Sequence, residues 1–191
     1  MTKRLVLLSL GLLLGLSANA FAAMGYAGSE APDRVKQVDW GVGVSAAFNS
    51  SSDDTAFIST AVSYGITPYI AIGVETGWQE ADGDSQDDTV GFVPILADLI
   101  FRVPTVHESI VPYGILGLGG SYVYVDNDSR GDDDDTGFSW KLGGGIDWFI
   151  NTQWIFNFEF AYWDADVNLP RTSLGNDASF WTLGVGLKYL F

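Results

Sequence analysis

Trp181-Thr-Leu-Gly-Val-Gly-Leu-Lys-Tyr-Leu-Phe191 is the stretch that decides the fold. Odd positions carry Trp181, Leu183, Val185, Leu187, Tyr189 and Phe191, and even positions carry Thr182, Gly184, Gly186, Lys188 and Leu190. A period of two is that of a β-strand with one apolar face. About ten residues, tilted, suffice for a strand to cross a bilayer. An amphipathic strand at the edge of a soluble sheet would look the same in isolation. The upstream chain has to decide between them.

Seven earlier segments repeat the alternation. They are Val38 to Phe48, Ala56 to Ile66, Tyr69 to Gln79, Thr89 to Val103, Pro112 to Val125, Phe138 to Phe149 and Trp154 to Trp163. In each, bulky apolar residues oppose Gly, Ser, Ala and a few charges. The fourth is the least regular. Pro94 cannot donate to a ladder, so a bulge or register break is expected there. An eight-stranded barrel has a narrow interior. Eight sets of Trp, Phe and Tyr would overfill it, whereas Gly and Ser would not. Space therefore turns the apolar faces outward, with lipid as the solvent. Closing the sheet also satisfies every backbone group in hydrocarbon.

The amino terminus reads as an export signal. Lys3 and Arg4 precede the apolar run Leu5 to Leu16, and small residues follow it. Ser17-Ala-Asn-Ala20 and Ala20-Phe-Ala22 each offer a cleavage site, leaving a start near Phe21 or Ala23. The expected layout is a signal peptide over 1–22, a short periplasmic segment over 23–36 and a barrel over 37–191. The chain has no cysteine, which excludes disulfides and thiolate metal sites. It is 47% hydrophobic yet carries a formal net charge of −15. That charge excludes nucleic acid as a partner. No second apolar run is long enough for a helical span.

The segments are joined alternately by short and long connections. Thr67-Pro68, Pro104 to Ser109 and Asn151 to Gln153 are short; Asn49 to Thr55, Glu80 to Asp88, Asp126 to Gly137 and Asp164 to Ala178 are longer. Short turns at one end and long loops at the other suit a membrane barrel. Aromatic residues at segment ends, such as Trp40, Phe48, Trp78, Trp148, Trp154 and Tyr189, would form interfacial girdles.

Four stretches carry a family resemblance: Gly65 to Ile72, Pro112 to Gly119, Gly137 to Asp147 and the terminal strand. In order and together, they resemble the small outer-membrane β-barrel domain family of OmpA-, OmpX- and OmpW-like, porin-family-like barrels. The resemblance implies an all-β, eight-stranded, antiparallel up-and-down barrel in the bacterial outer membrane, with both termini periplasmic. It further implies outer-membrane lipid and lipopolysaccharide as surroundings, periplasmic chaperones and the barrel-assembly machinery during biogenesis, and a monomer. The terminal face Val185, Leu187, Tyr189 and Phe191 resembles the closing-strand signal that this machinery reads. Deleting Phe191 should therefore impair outer-membrane insertion; unaffected insertion in cell fractionation would refute the assembly role. Enzymatic relatives act on surface lipids through a histidine. The sole histidine here, His107, falls in a short turn on the wrong side for that, so no catalytic residue and no cofactor is expected.

Sixteen of the 24 acids fall in the four longer connections. Asp126, Asp128 and Asp132 to Asp135 have hard-oxygen character suited to Ca²⁺ or Mg²⁺, but they lack EF-hand spacing. A dedicated site is not expected. A solvated, mutually repelling surface run is the first reading, and weak divalent bridging between these loops and lipopolysaccharide phosphates is the second. Calorimetry of Ca²⁺ into refolded barrel tests it: heat no greater than that of an Asp132–Asp135→Asn variant would sink the idea.

The inner face holds Asp39, Glu75, Asp98, Arg102, Lys141, Asp147, Glu159 and Lys188. Buried charges need partners. The turn at Asn151 to Gln153 should bring Lys141 near Glu159, and closure of the last strand on the first should bring Asp39 toward Lys188. Paired charges would plug the lumen. The expected role is structural or in surface interaction. A pore for small hydrophobic or cationic solutes is the second reading, with conductance that Lys141→Ala would raise. A surface-lipid enzyme is a distant third.

Overall fold

The computed structural model describes residues 35–49, 54–82, 88–103, 109–127, 133–167 and 177–191. The expected signal peptide and its cleavage site, most of the 23–36 segment, and His107 lie outside these residues. Eight strands occur in chain order: β1 Val38–Asn49, β2 Thr55–Gly65, β3 Ile70–Asp82, β4 Asp88–Arg102, β5 Ile110–Asn127, β6 Asp133–Phe149, β7 Trp154–Asp166 and β8 Asp177–Leu190. Each pairs antiparallel with its neighbour, and β8 closes on β1.

Register follows from the turns. Asn151 Oδ1 accepts from the amides of Gln153 and Trp154 at 2.9 and 2.8 Å, an Asx turn that pins β6 to β7. Thr67 Oγ1 accepts from Tyr69 and Ile70 at 3.2 and 3.0 Å and pins β2 to β3. At the closing seam the Phe191 amide donates to the Val38 carbonyl at 2.9 Å. Following paired residues around the wall leads from Asp39 through Ser63, Gly73, Asp98, Gly117, Lys141, Trp163 and Phe180 back to β1 at Asn49, a shear of ten residues. With eight strands that stagger corresponds to a tilt of ~40°.

Two expectations need correction. Pro94 causes no bulge. Thr76 pairs with Ile95 and Gln79 with Phe92, so the register is the same on both sides of a two-residue gap in the ladder. Within the gap Thr76 Oγ1 donates to the Pro94 carbonyl at 2.7 Å and gives that oxygen a partner. The long acidic connections are also shorter than the sequence suggests. Asp126 ends a strand and Asp133 to Asp135 begin one, with Val123, Tyr124 and Val125 facing Asp135, Asp134 and Asp133. A ladder protruding into water keeps its backbone bonds while its carboxylates stay solvated, so charge does not end the strand.

The outer surface is apolar over its middle, with Val42, Ile58, Val74, Ile95, Leu118, Leu142, Phe158 and Leu183 all exposed. A continuous patch of this kind marks a membrane-facing wall. Aromatic belts flank it: Trp40, Trp154 and Tyr189 near the termini, and Phe48, Trp140, Tyr162 and Trp181 at the far end. Trp154 and Tyr189 lie edge to face at 5.0 Å, and Phe160 stacks on Trp181 at 4.9 Å. Eight residues separate Tyr189 from Trp181. At ~3.3 Å per residue and the tilt above, the belts lie ~20 Å apart.

Inside, glycines make room for large side chains from the next strand. A Cβ on Gly41 would fall 2.7 Å from Lys188 Cγ, and one on Gly145 2.7 Å from the Tyr113 hydroxyl. One on Gly77 would collide with the Phe57 ring and fall 2.8 Å from the Ile58 carbonyl. Backbone and ring would both have to shift, so Gly77→Ala should cost about 1–3 kcal/mol. Urea unfolding of the refolded barrel measures this; an unchanged midpoint would show the contact to be slack.

Candidate functional site

The lumen is filled in three levels. Nearest the termini, Asp39 on β1 accepts from Ser63 Oγ at 2.8 Å and meets Arg102 Nη2 of β4 at 3.6 Å. Lys188 on β8 reaches across to Asp147 on β6 at 2.9 Å, with its ammonium 4.8 Å from the Tyr113 ring centroid. The expected pairing of Asp39 with Lys188 is thus replaced by two others. The register explains it: Lys188 stands opposite Gly41, while Asp39 stands opposite Leu190. With only glycine opposite, the lysine stem crosses the lumen.

Midway, Lys141 is fully buried and forms ion pairs with Glu75 on β3 and with Glu159 on β7, the latter at 3.4 Å. Glu159 is diagonal to Lys141 in the ladder, since Gly145 is its partner. A hydrogen-bonded chain continues from there. Tyr113 donates to Glu159 at 2.7 Å, and Asn157 Nδ2 donates to the Tyr113 oxygen at 2.7 Å and to Asp147 at 3.0 Å. Glu75, Lys141, Glu159, Tyr113, Asn157, Asp147 and Lys188 are therefore one network spanning five strands. Tyr113 and Asn157 link the charges and were not singled out from the sequence. Both sit on inner-parity positions, and both carry polar groups that could have nominated them.

At the far end an aromatic cluster fills the lumen. Trp163 and Phe180 stack at 6.0 Å, Phe57 meets Trp163 edge-on at 5.0 Å, and Phe92 meets Phe180 edge-on at 5.1 Å. All four rings are buried. Trp163 donates its Nε1 hydrogen to Thr182 Oγ1 at 3.2 Å, and Lys141 lies 4.9 Å from its ring centroid. The expectation that large rings stay outside is overturned at this level. Room comes from Ala47, Gly77, Ala161 and Ala165 around them.

Beneath the aromatic cluster a cavity of about 70 Å³ remains, lined from β1, β2, β3, β4, β5, β7 and β8. Asp98 of β4 faces it and is buried at 4% exposure. Of the rim acids, Asp134 is exposed and Asp135 is half-buried. Asp128 and Asp132 lie outside the described residues, as do the side chains of Asp126 and Asp133. Among the described residues no three acids or histidines converge as a metal site. Of the terminal face, Leu187 and Phe191 are exposed and Val185 and Tyr189 half-buried on the outer wall, and Phe191 meets Tyr189 edge to face at 4.9 Å.

A closed wall with a greasy exterior, two aromatic belts and a charged, filled lumen defines a membrane β-barrel of the outer-membrane type. The model of the outer membrane protein β-barrel domain matches residues 8–191, and the chain belongs to that family. A comparison with the curated proteins finds no match. Among solved structures, the chain is similar to Neisserial surface protein A, at 16% identity and TM-score 0.63, covering 81% of this chain and 96% of that one. It is also similar to the outer membrane protein OprG of Pseudomonas aeruginosa, at 17% identity, TM-score 0.55 and coverage of 85% and 99%. The attachment invasion locus protein of Yersinia pestis, solved with the heparin analogue sucrose octasulfate, is similar at 12% identity, TM-score 0.53 and coverage of 81% and 97%. These likenesses concern the fold.

Proposed function

We propose that the protein is a non-conducting outer-membrane barrel that holds an acidic rim at the cell surface, in a structural or surface-interaction role. The observation that carries this is the filled lumen, with an aromatic cluster above a network of paired charges. A channel for hydrophobic or cationic solutes would need a continuous path past Trp163, Phe180 and Lys141. The rim acids Glu80, Asp134, Asp135, Asp164 and Asp166 sit at the strand ends opposite the termini. On this reading that end faces outward, both termini are periplasmic, and the rim meets lipopolysaccharide phosphates through divalent cations or meets basic partners. A sulfated glycan of the kind named for the Yersinia relative would be repelled by this rim. The outer face ending in Val185, Leu187, Tyr189 and Phe191 serves as the signal for the assembly machinery, and the folded barrel stays a monomer.

The chain has no cysteine, so single cysteines report sidedness cleanly. In intact cells an impermeant maleimide should label Asp134→Cys and leave Thr152→Cys unlabelled. The reverse pattern would overturn the orientation.

A further inference from the structure

The lumenal charges do not balance. Asp39, Glu75, Asp98, Asp147 and Glu159 face Arg102, Lys141 and Lys188 among the described residues. Arg102 is beside Asp39, Lys188 is on Asp147, and Lys141 is shared by Glu75 and Glu159. Asp98 remains. Its Oδ1 is buried with no hydrogen-bond partner, on a residue 4% exposed that borders the cavity. A buried carboxylate without a partner is costly. The cavity beside it supplies what a cation needs. Ser59, Ser63, Gly43 and Gly73 line it together with Glu75 and Lys188; the Ser63 hydroxyl donates to Asp39 and keeps its lone pairs for a cation, and the Lys188 ammonium is held by Asp147. At about 70 Å³ it has room for an ion and accompanying water.

We propose that this cavity binds one small monovalent cation, with Asp98 Oδ1 as its anionic ligand and the serine hydroxyls and water as neutral donors. Of the two negative charges left over among the described lumenal residues, one is spread over Glu75 and Glu159 around Lys141 and the other stands on Asp98, and a single anionic ligand among neutral oxygens suits a monovalent ion. The absence of three converging acids or histidines among the described residues disfavours a divalent one. Alkali ions and ammonium share the required chemistry. The proposal is independent of the acidic rim and of which end faces the cell surface.

The test is a titration of the refolded full barrel in detergent micelles, followed by amide NMR shifts at constant ionic strength. Sodium, potassium and ammonium chlorides replace choline chloride, whose quaternary headgroup shields its charge. The Ser63, Gly73 and Gly117 amides should shift saturably with at least one small cation, and Asp98→Asn should abolish the shift. Gly43→Ala narrows the cavity while keeping the carboxylate, since its Cβ would lie 3.3 Å from Ser59 Oγ. It should weaken the apparent affinity several-fold and keeps the proposal testable if Asp98→Asn fails to fold. Spectra identical in all four salts would mean that Asp98 carries a proton instead and would overturn the site. So would a response that survives Asp98→Asn.

Discussion

Replacing Lys141 with methionine should destabilise the refolded barrel by about 3–5 kcal/mol, because it strips the buried Glu75 and the half-buried Glu159 of their shared cation. Lys141 is fully buried, and its ammonium is shared between Glu75 and Glu159. Methionine keeps most of the side-chain volume, so the loss is electrostatic rather than a cavity effect. Two consequences separate this from generic core damage. Adding Glu75→Gln to Lys141→Met should recover part of the loss, since it removes one of the stranded charges. Conductance should not rise, because the aromatic cluster above Lys141 stays in place. Urea unfolding with tryptophan fluorescence reads the first; a loss under 1 kcal/mol, or no recovery in the double variant, would show that the network is not a unit.

The aromatic cluster gives the second large effect. Trp163→Ala should cost about 3–5 kcal/mol, the usual range for emptying a packed aromatic site. Phe180→Ala should cost a similar amount. Because the two rings stack at 6.0 Å and share Phe57 and Phe92 as neighbours, their effects should not add. A double-mutant cycle should return a coupling of ~0.5–1.5 kcal/mol. Strict additivity would mean that the rings fill the lumen independently.

Strand positions were readable from the sequence because each carries an uninterrupted period-two pattern. β1, β3 and β7 begin or end within a few residues of the expected segments. The ends of β5 and β6 were not readable, since Asp-rich sequence suggests a loop and says nothing about whether its backbone is laddered. The lumen was partly readable. Parity alone assigns Glu75, Asp98, Lys141 and Glu159 inward, yet partner choice depends on shear. The ten-residue stagger sets Lys188 against Gly41 and frees it to reach Asp147. The aromatic cluster escaped notice for a related reason. Phe57, Phe92, Trp163 and Phe180 all occupy inner-parity positions, but the first three lie toward the ends of their segments, where rings usually belong to the outer girdle, and Phe180 falls just before the last segment. Gly77, on the strand next to Phe57, was the available signal: a glycine on an inner face marks space that a neighbour uses.

Sealing of the lumen is the claim on which the functional reading rests. Single-molecule conductance of the refolded wild-type barrel in planar bilayers tests it most directly. A sealed barrel gives no resolved current steps under voltage, before or after prolonged recording. Reproducible steps of uniform amplitude, appearing only with folded protein, would contradict a lumen closed by Trp163, Phe180 and the Lys141 network.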